Sequence, residues 1–162
     1  MLNAGFAGKR ADADSDRLKG ALAEAKPDLL LLWHGANDLL ALERTTGAAL
    51  DEGIAAAAAA VEDLVRDGTA RGARVMLATQ TPAILGLQRG GSARYLPRFN
   101  DRLKAMAARR AVQIVDLFTE VPAALVGQDG LHLTEEGFQR VADVFLLAIE
   151  ATYELPPNTS AR

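Results

Sequence analysis

Two short stretches hold residues whose types and spacing could do chemistry. In Asp129-Gly130-Leu131-His132 a carboxylate precedes a histidine by three positions. Such a carboxylate can accept a hydrogen bond from one ring nitrogen, fix the tautomer, and leave the other nitrogen free as a general base. The same spacing also occurs in an ordinary loop leading into a helix, where the histidine is incidental. In His34-Gly35-Ala36-Asn37-Asp38 a polar cluster follows an apolar run. The Asn37 amide could donate to a developing oxyanion, although Asn and Asp also close turns through their own backbone. A third stretch, Gly5 to Gly8, is rich in glycine, and Gly8 could offer a backbone N–H with no side chain in the way.

Other chemistries fit less well. His34, Asp38, Asp129 and His132 could together make a metal site of nitrogen and oxygen ligands. No close His-x-His or His-x-x-x-His spacing supports it, and His34 reads better as a structural residue at a strand end. A metal is therefore not the favoured reading. "GFAGKR" is not a phosphate-binding loop, because the glycine gap is too short and no Ser or Thr follows the lysine. Asp38 as a phosphoacceptor would leave "HGAN" without a role.

These groups need elements to hold them. "DLLLLWH" at 28–34 reads as a strand buried on both faces, as in a parallel sheet covered by helices. "ARVMLAT" at 73–79 and "VQIVDLF" at 112–118 read as two more strands. Helical spacing predicts helices over 12–25, 48–71, 95–110 and 134–152. Pro27 ends the first and Gly72 the second, and Thr134 is a candidate N-cap for the last. Residues 83–94 read as a mobile loop, and "LPPNTSAR" as a frayed tail. The alternation of helix and strand predicts a layered α/β fold with right-handed crossovers. In such folds sites form at the carboxyl ends of the strands. The polar cluster at 34–38 and the Asp129–His132 loop both fall at such ends, and the glycine loop precedes the first helix.

Composition narrows the classes. With 162 residues the chain fits one domain, taken as 1–152 followed by a flexible tail at 153–162. Hydrophobic residues make up 49% and charged residues 24%, a globular balance. Eighteen basic residues against 21 acidic give a net charge of -3, so no nucleic-acid partner is expected. There is no cysteine, which removes thiol catalysis and disulfides. No run reaches the ~18–20 apolar residues of a membrane span. Residues 1–5 lack a charged segment followed by an apolar one, so they do not read as a signal peptide, and localisation stays open.

Taken together, the motifs resemble the SGNH hydrolases, also called GDSL esterases and lipases. "NAGFAGKRADADSDRL" is similar to that family's second block, "HGANDL" to its third and "DGLHLTEEGFQRVAD" to its fourth. The likeness runs from about Asn3 to Ile149, with 29 positions from Gly8 to Asn37. It implies a three-layer, flavodoxin-like sandwich around a parallel sheet, without cofactor. It implies Gly8 and Asn37 as oxyanion-hole donors, His132 as general base and Asp129 as its orienting carboxylate. The substrate it implies is a small ester or thioester.

The family's first block, Gly-Asp-Ser on a strand, has no counterpart here. The three serines are Ser15, Ser92 and Ser160, and none follows a strand. In the family the serine strand would lie beside 28–34. Without it "LLLLW" is an apolar sheet edge carrying no charge, open to aggregation or to pairing with another chain. The expectation is that Met1 is internal to a longer reading frame, with the N-terminal strand or strands missing and this chain inactive as written. Alternatives are a shortened chain that binds esters or carbohydrates without cutting them, or one that borrows a strand, for example as a homodimer through the exposed edge. Residues 83–98 are expected to form the pocket wall, with Leu85, Leu87, Tyr95 and Leu96 as its apolar contacts.

Overall fold

A computed structural model describes residues 2–153. The fold is the expected layered α/β arrangement. In chain order it runs α1 (Ser15–Ala25), β1 (Leu29–Leu32), α2 (Ala36–Leu40), α3 (Gly47–Thr69), β2 (Arg74–Ala78), α4 (Leu96–Arg110), β3 (Gln113–Val115), α5 (Leu117–Glu120) and α6 (Glu135–Tyr153). Three-ten turns lie at Ala11–Ala13, Gly90–Arg94 and Ala123–Leu125. The frayed-tail expectation falls mostly on 154–162, outside the described residues.

The three strands pair in parallel in the order β1-β2-β3, with Leu30 opposite Val75 and Leu77 opposite Ile114. Alternate residues of β1 serve opposite faces. Leu30 and Leu32 pack with α1, α3 and α4, around Val61, Leu64, Phe99 and Leu103. Leu29, Leu31 and Trp33 pack on the other face, with Val141, Val144 and Phe145 of α6. Packing on both faces explains why β1 is apolar throughout, although only Leu32 is buried and Leu29, Leu30 and Leu31 are half-buried. At ~25 cal/mol per Å² of apolar surface, a buried leucine such as Leu32 stabilises the fold by about 1.5–3 kcal/mol.

The strands are shorter than their apolar runs. β1 stops at Leu32, because Gly35 turns the chain at φ 114° into α2, where the sequence read only a turn. A Cβ at Gly35 would stand 2.6 Å from Phe99 Cζ, so this position needs glycine for both conformation and space. β3 stops at Val115 because Asp116 starts the helical turn α5. Its carboxylate accepts bonds from the Thr79 hydroxyl at 3.0 Å and Lys104 Nζ at 2.7 Å.

Helix limits follow local chemistry. Lys26 caps α1 in the left-handed region at φ 44°, immediately before Pro27. The Gly137 N–H donates to Thr134 Oγ1 at 3.2 Å, the N-cap bond expected of that threonine. Among the described residues no helix is long and apolar enough to cross a membrane.

Replacing Gly35 with alanine should destabilise the fold by about 1–3 kcal/mol through the strained φ alone. Displacement of Phe99 adds to this. Urea denaturation of Gly35→Ala against the parent checks it, and an unchanged midpoint would contradict the turn described.

Candidate functional site

The N-terminal loop is held against the carboxyl end of β1 by three polar ties. Asp38 is buried, and both its oxygens accept the Ala11 N–H, at 3.1 and 2.9 Å. Asn37 Nδ2 donates to the Lys9 carbonyl at 3.0 Å. Arg17 Nη1 donates to the Ala4 carbonyl at 2.5 Å, while its Nε and Nη2 each bond Asp14 at 2.5 Å. Burial works to raise the Asp14 pKa, but Arg17 and His34 outweigh it and hold the carboxyl below its ordinary value. Burial pushes the Asp38 carboxyl upward, and the Ala11 N–H only partly opposes this.

These ties hold Gly8 and Asn37 beside one groove. The Gly8 N–H is not taken by any backbone carbonyl among the described residues. Asn37 spends one amide hydrogen on Lys9 and keeps the other. Gly8, Asn37 and His132 all line the same groove, which has a volume of about 1020 Å³.

His132 is oriented from behind. Its Nδ1 lies 2.5 Å from Asp129 Oδ2. Asp129 Oδ1 accepts the backbone N–H groups of Leu131 at 3.0 Å and His132 at 2.9 Å. The Leu131 N–H, the His132 ring and the His132 N–H lower the Asp129 carboxyl to about 2. With Nδ1 engaged, Nε2 of this exposed ring has no hydrogen-bond partner among the described residues.

His34 differs. Its Nδ1 accepts the Gly35 N–H at 2.9 Å, which puts the ring proton on Nε2, facing Asp14 Oδ2 at 3.2 Å. Its carbonyl accepts Gln80 Nε2 at 2.7 Å, and Gln80 is paired through its backbone with the buried Asn100 side chain at 2.8 and 3.1 Å. Both ring nitrogens are used, so His34 braces the strand end, as a structural reading requires. Of the four residues weighed as a metal set, Asp38 is committed to Ala11 and Asp129 to His132.

Sequence reasoning missed Asp14, Arg17, Gln80 and Asn100 as supports. The only available signal was "TQTP", a polar run at the carboxyl end of a strand. Two expectations need correction. Residues 83–94 are pinned by the Ile84 N–H on the Gly130 carbonyl at 2.9 Å and the Arg89 N–H on the Asp129 carbonyl at 2.7 Å. Tyr95 is not a pocket contact: it is buried, and its hydroxyl donates to the Leu39 carbonyl at 2.7 Å. The groove takes Ala83, Arg89, Ser92 and Leu96 from this region, whereas Leu85 and Leu87 are exposed outside it.

The serines fall as follows. Ser15 Oγ donates to Asp67 Oδ2 at 2.6 Å. Ser92 is buried in the 90–94 turn, on the groove wall. Ser160 lies outside the described residues.

Comparison with known proteins agrees with this architecture. No curated protein sequence matches the chain significantly. Among solved structures it is similar to a GDSL-like lipase from Bacteroides thetaiotaomicron, with a TM-score of 0.73 and 19% identity over 89% of this chain and 72% of that one. A lipase/acylhydrolase from Enterococcus faecalis gives the same four figures: 0.73, 19%, 89% and 72%. An acetylxylan esterase from Geobacillus stearothermophilus gives a TM-score of 0.70 and 19% identity over 88% of this chain and 68% of that one. Catalytic mutants of that esterase were solved at a serine, an aspartate and a histidine, the aspartate three positions before the histidine. At such identities these likenesses establish the fold alone. The model of the GDSL-like lipase/acylhydrolase family matches residues 1–140, and the chain belongs to that family.

Proposed function

We propose that this chain carries the acid–base and oxyanion half of an ester hydrolase acting through a serine, a histidine and an aspartate. What supports the reading is one juxtaposition. A histidine locked at Nδ1 by Asp129, with Nε2 free, borders the same groove as the unpaired Gly8 N–H and the spare hydrogen of Asn37. In the proposed reaction a serine hydroxyl attacks the carbonyl of a small ester, and His132 Nε2 takes its proton. The oxyanion collects on Gly8 and Asn37, and the imidazolium is stabilised by Asp129 before it protonates the leaving alcohol.

Neither described serine is suited to the attack. Ser15 is bonded to Asp67 at the start of α1, and Ser92 sits in a buried three-ten turn rather than at the carboxyl end of a strand. The nucleophile in this reading therefore comes from outside the described residues, and the 162-residue chain alone turns over no ester in a serine-dependent way. Placing the Gly-Asp-Ser block of a related esterase before Leu2 should create p-nitrophenyl acetate hydrolysis. In that protein His132→Ala should nearly abolish activity. Asn37→Ala should lower kcat by about 10²–10³-fold, or about 2.7–4 kcal/mol in the transition state. Undiminished activity in either variant would overturn the assignment, as would turnover by the unextended chain that disappears with Ser15→Ala or Ser92→Ala.

Asp129 supplies a separate test. Its bonds hold the carboxyl at about 2, below its ordinary 3.8, so the interaction stabilises the fold above pH ~4 and is lost as pH falls through about 2. A carbon-detected NMR titration should find the carboxyl ionised down to about pH 2. His132→Gln should raise the midpoint only part of the way, because both backbone N–H donors stay. A midpoint near 4 in the parent protein would contradict the geometry.

A further inference from the structure

We propose that the groove wall at Thr81 and Ser92 is a subsite for a neutral, hydroxyl-rich group, a sugar or polyol, carried by the ester. This subsite deepens the ester-hydrolase reading and rests on it for the reaction, while its binding step needs no nucleophile. Among the described residues the buried hydroxyl side chains are Thr79, Thr81, Ser92 and Tyr95. Two of them are bonded inside the protein. The Thr79 hydroxyl donates to Asp116 Oδ1 at 3.0 Å and accepts the Phe118 N–H at 2.9 Å. The Tyr95 hydroxyl donates to the Leu39 carbonyl. The other two hydroxyls bond no protein group among the described residues, and Thr81 and Ser92 are the two that line the groove.

Neither hydroxyl is sealed in. Among the described residues, the partnerless side-chain atoms cut off from solvent are Trp33 Nε1 and Glu43 Oε1. The Thr81 and Ser92 hydroxyls thus keep contact with open space, although the residues are only 8% and 1% exposed. Gln80, also buried and on the groove wall, spends Nε2 on the His34 carbonyl and leaves Oε1 as an acceptor in the same state.

The backbone gathers these groups at the carboxyl end of β2. Gln80 and Thr81 follow that strand closely, and Asn100 holds the Gln80 main chain on both sides. The segment then doubles back. A Cβ at Gly90 would stand 1.7 Å from the Ile84 carbonyl oxygen, so Gly90 packs directly on Ile84 and the chain returns toward the strand end before Ser92. This wall belongs to β2, which is paired on both sides, and so does not depend on what lies beside β1.

An occupant that covers these groups strips solvent from them. Each hydroxyl then costs its desolvation unless the occupant bonds it. An acyl chain offers no such bond. A sugar or polyol does, since its hydroxyls both donate and accept, as those of Ser and Thr do, and can donate to Gln80 Oε1. Ala83 and Leu96 line the same groove and suit the C–H face of a sugar ring. All three polar groups are uncharged, which suits a neutral occupant, and Arg89, the cation of this segment on the groove, is exposed.

The test uses the 162-residue chain, with methyl β-D-glucopyranoside as the probe and cyclohexanol, a six-membered ring with one hydroxyl, as the comparison. The glucoside should shift the backbone amide resonances of Gln80, Thr81 and Ser92 saturably, and cyclohexanol should bind about tenfold more weakly or less. Thr81→Val and Ser92→Ala should each weaken glucoside binding by about threefold to tenfold, the worth of one hydrogen bond. Neither hydroxyl is bonded within the protein, so the urea midpoint of each variant should match or exceed the parent's. A hydroxyl with a purely structural role would lower that midpoint instead. Absence of a saturable shift in the folded parent would overturn the inference. Undiminished binding by both variants would do so too, as would a midpoint that falls in both, or cyclohexanol binding as tight as the glucoside's. Glucoside binding by a chain whose grafted serine hydrolyses no ester would uphold the subsite and sink the catalytic reading alone.

Discussion

The site depends on how the loop before α1 is fastened to the end of β1. This loop has no regular structure of its own up to the three-ten turn at Ala11. It is fixed by groups from α1 and α2: Asp38 on the Ala11 N–H, Asn37 on the Lys9 carbonyl, and Arg17 on the Ala4 carbonyl. Loss of the Asp38 carboxylate would leave a buried N–H unpaired, at a cost of about 1–3 kcal/mol. The same contacts set where the Gly8 N–H stands. Asn37 places the loop with one amide hydrogen, and both Asn37 and Gly8 line the groove.

The two histidines show how environment assigns roles to one side-chain type. His34 has both ring nitrogens in bonds and its carbonyl in a third, so it is a strut between β1, Asp14 and Gln80. His132 has one nitrogen bonded and the other without a partner among the described residues, and it lines the groove on a loop secured by Gly130 and the 83–94 segment. Of the two, only His132 has a ring nitrogen without a partner among the described residues.

Much of this was legible in the sequence. The apolar runs gave the strands, because burial on both faces leaves no room for alternation. Asp129 and His132 were legible because the pair is local, three positions apart. Gly35 was legible as a turn, though not its clash with Phe99, which sits 64 positions away. What stayed hidden was long-range polar pairing. Asp14 and Arg17 look like ordinary charges at a helix start, and nothing local connects Gln80 with Asn100 or His34. The loop at 83–94 looked mobile because its composition is glycine-rich. Its anchors are backbone bonds to Asp129 and Gly130, and backbone partners leave no trace in residue type. Tyr95 was misplaced for a related reason: its hydroxyl reaches a carbonyl 56 positions back.

The open edge of β1 and the unattended Nε2 of His132 meet in one groove, and the central claim is that a serine arriving there is activated by this chain. Mapping of fluorophosphonate adducts by mass spectrometry tests it most directly. The 162-residue chain would be treated alone, and then joined to a strand that ends in Gly-Asp-Ser. The account predicts no adduct on Ser15, Ser92 or Ser160 in the first case. In the second it predicts one adduct on the added serine, lost with His132→Ala. An adduct on Ser92 of the chain alone, or one on the added serine that persists without His132, would contradict it.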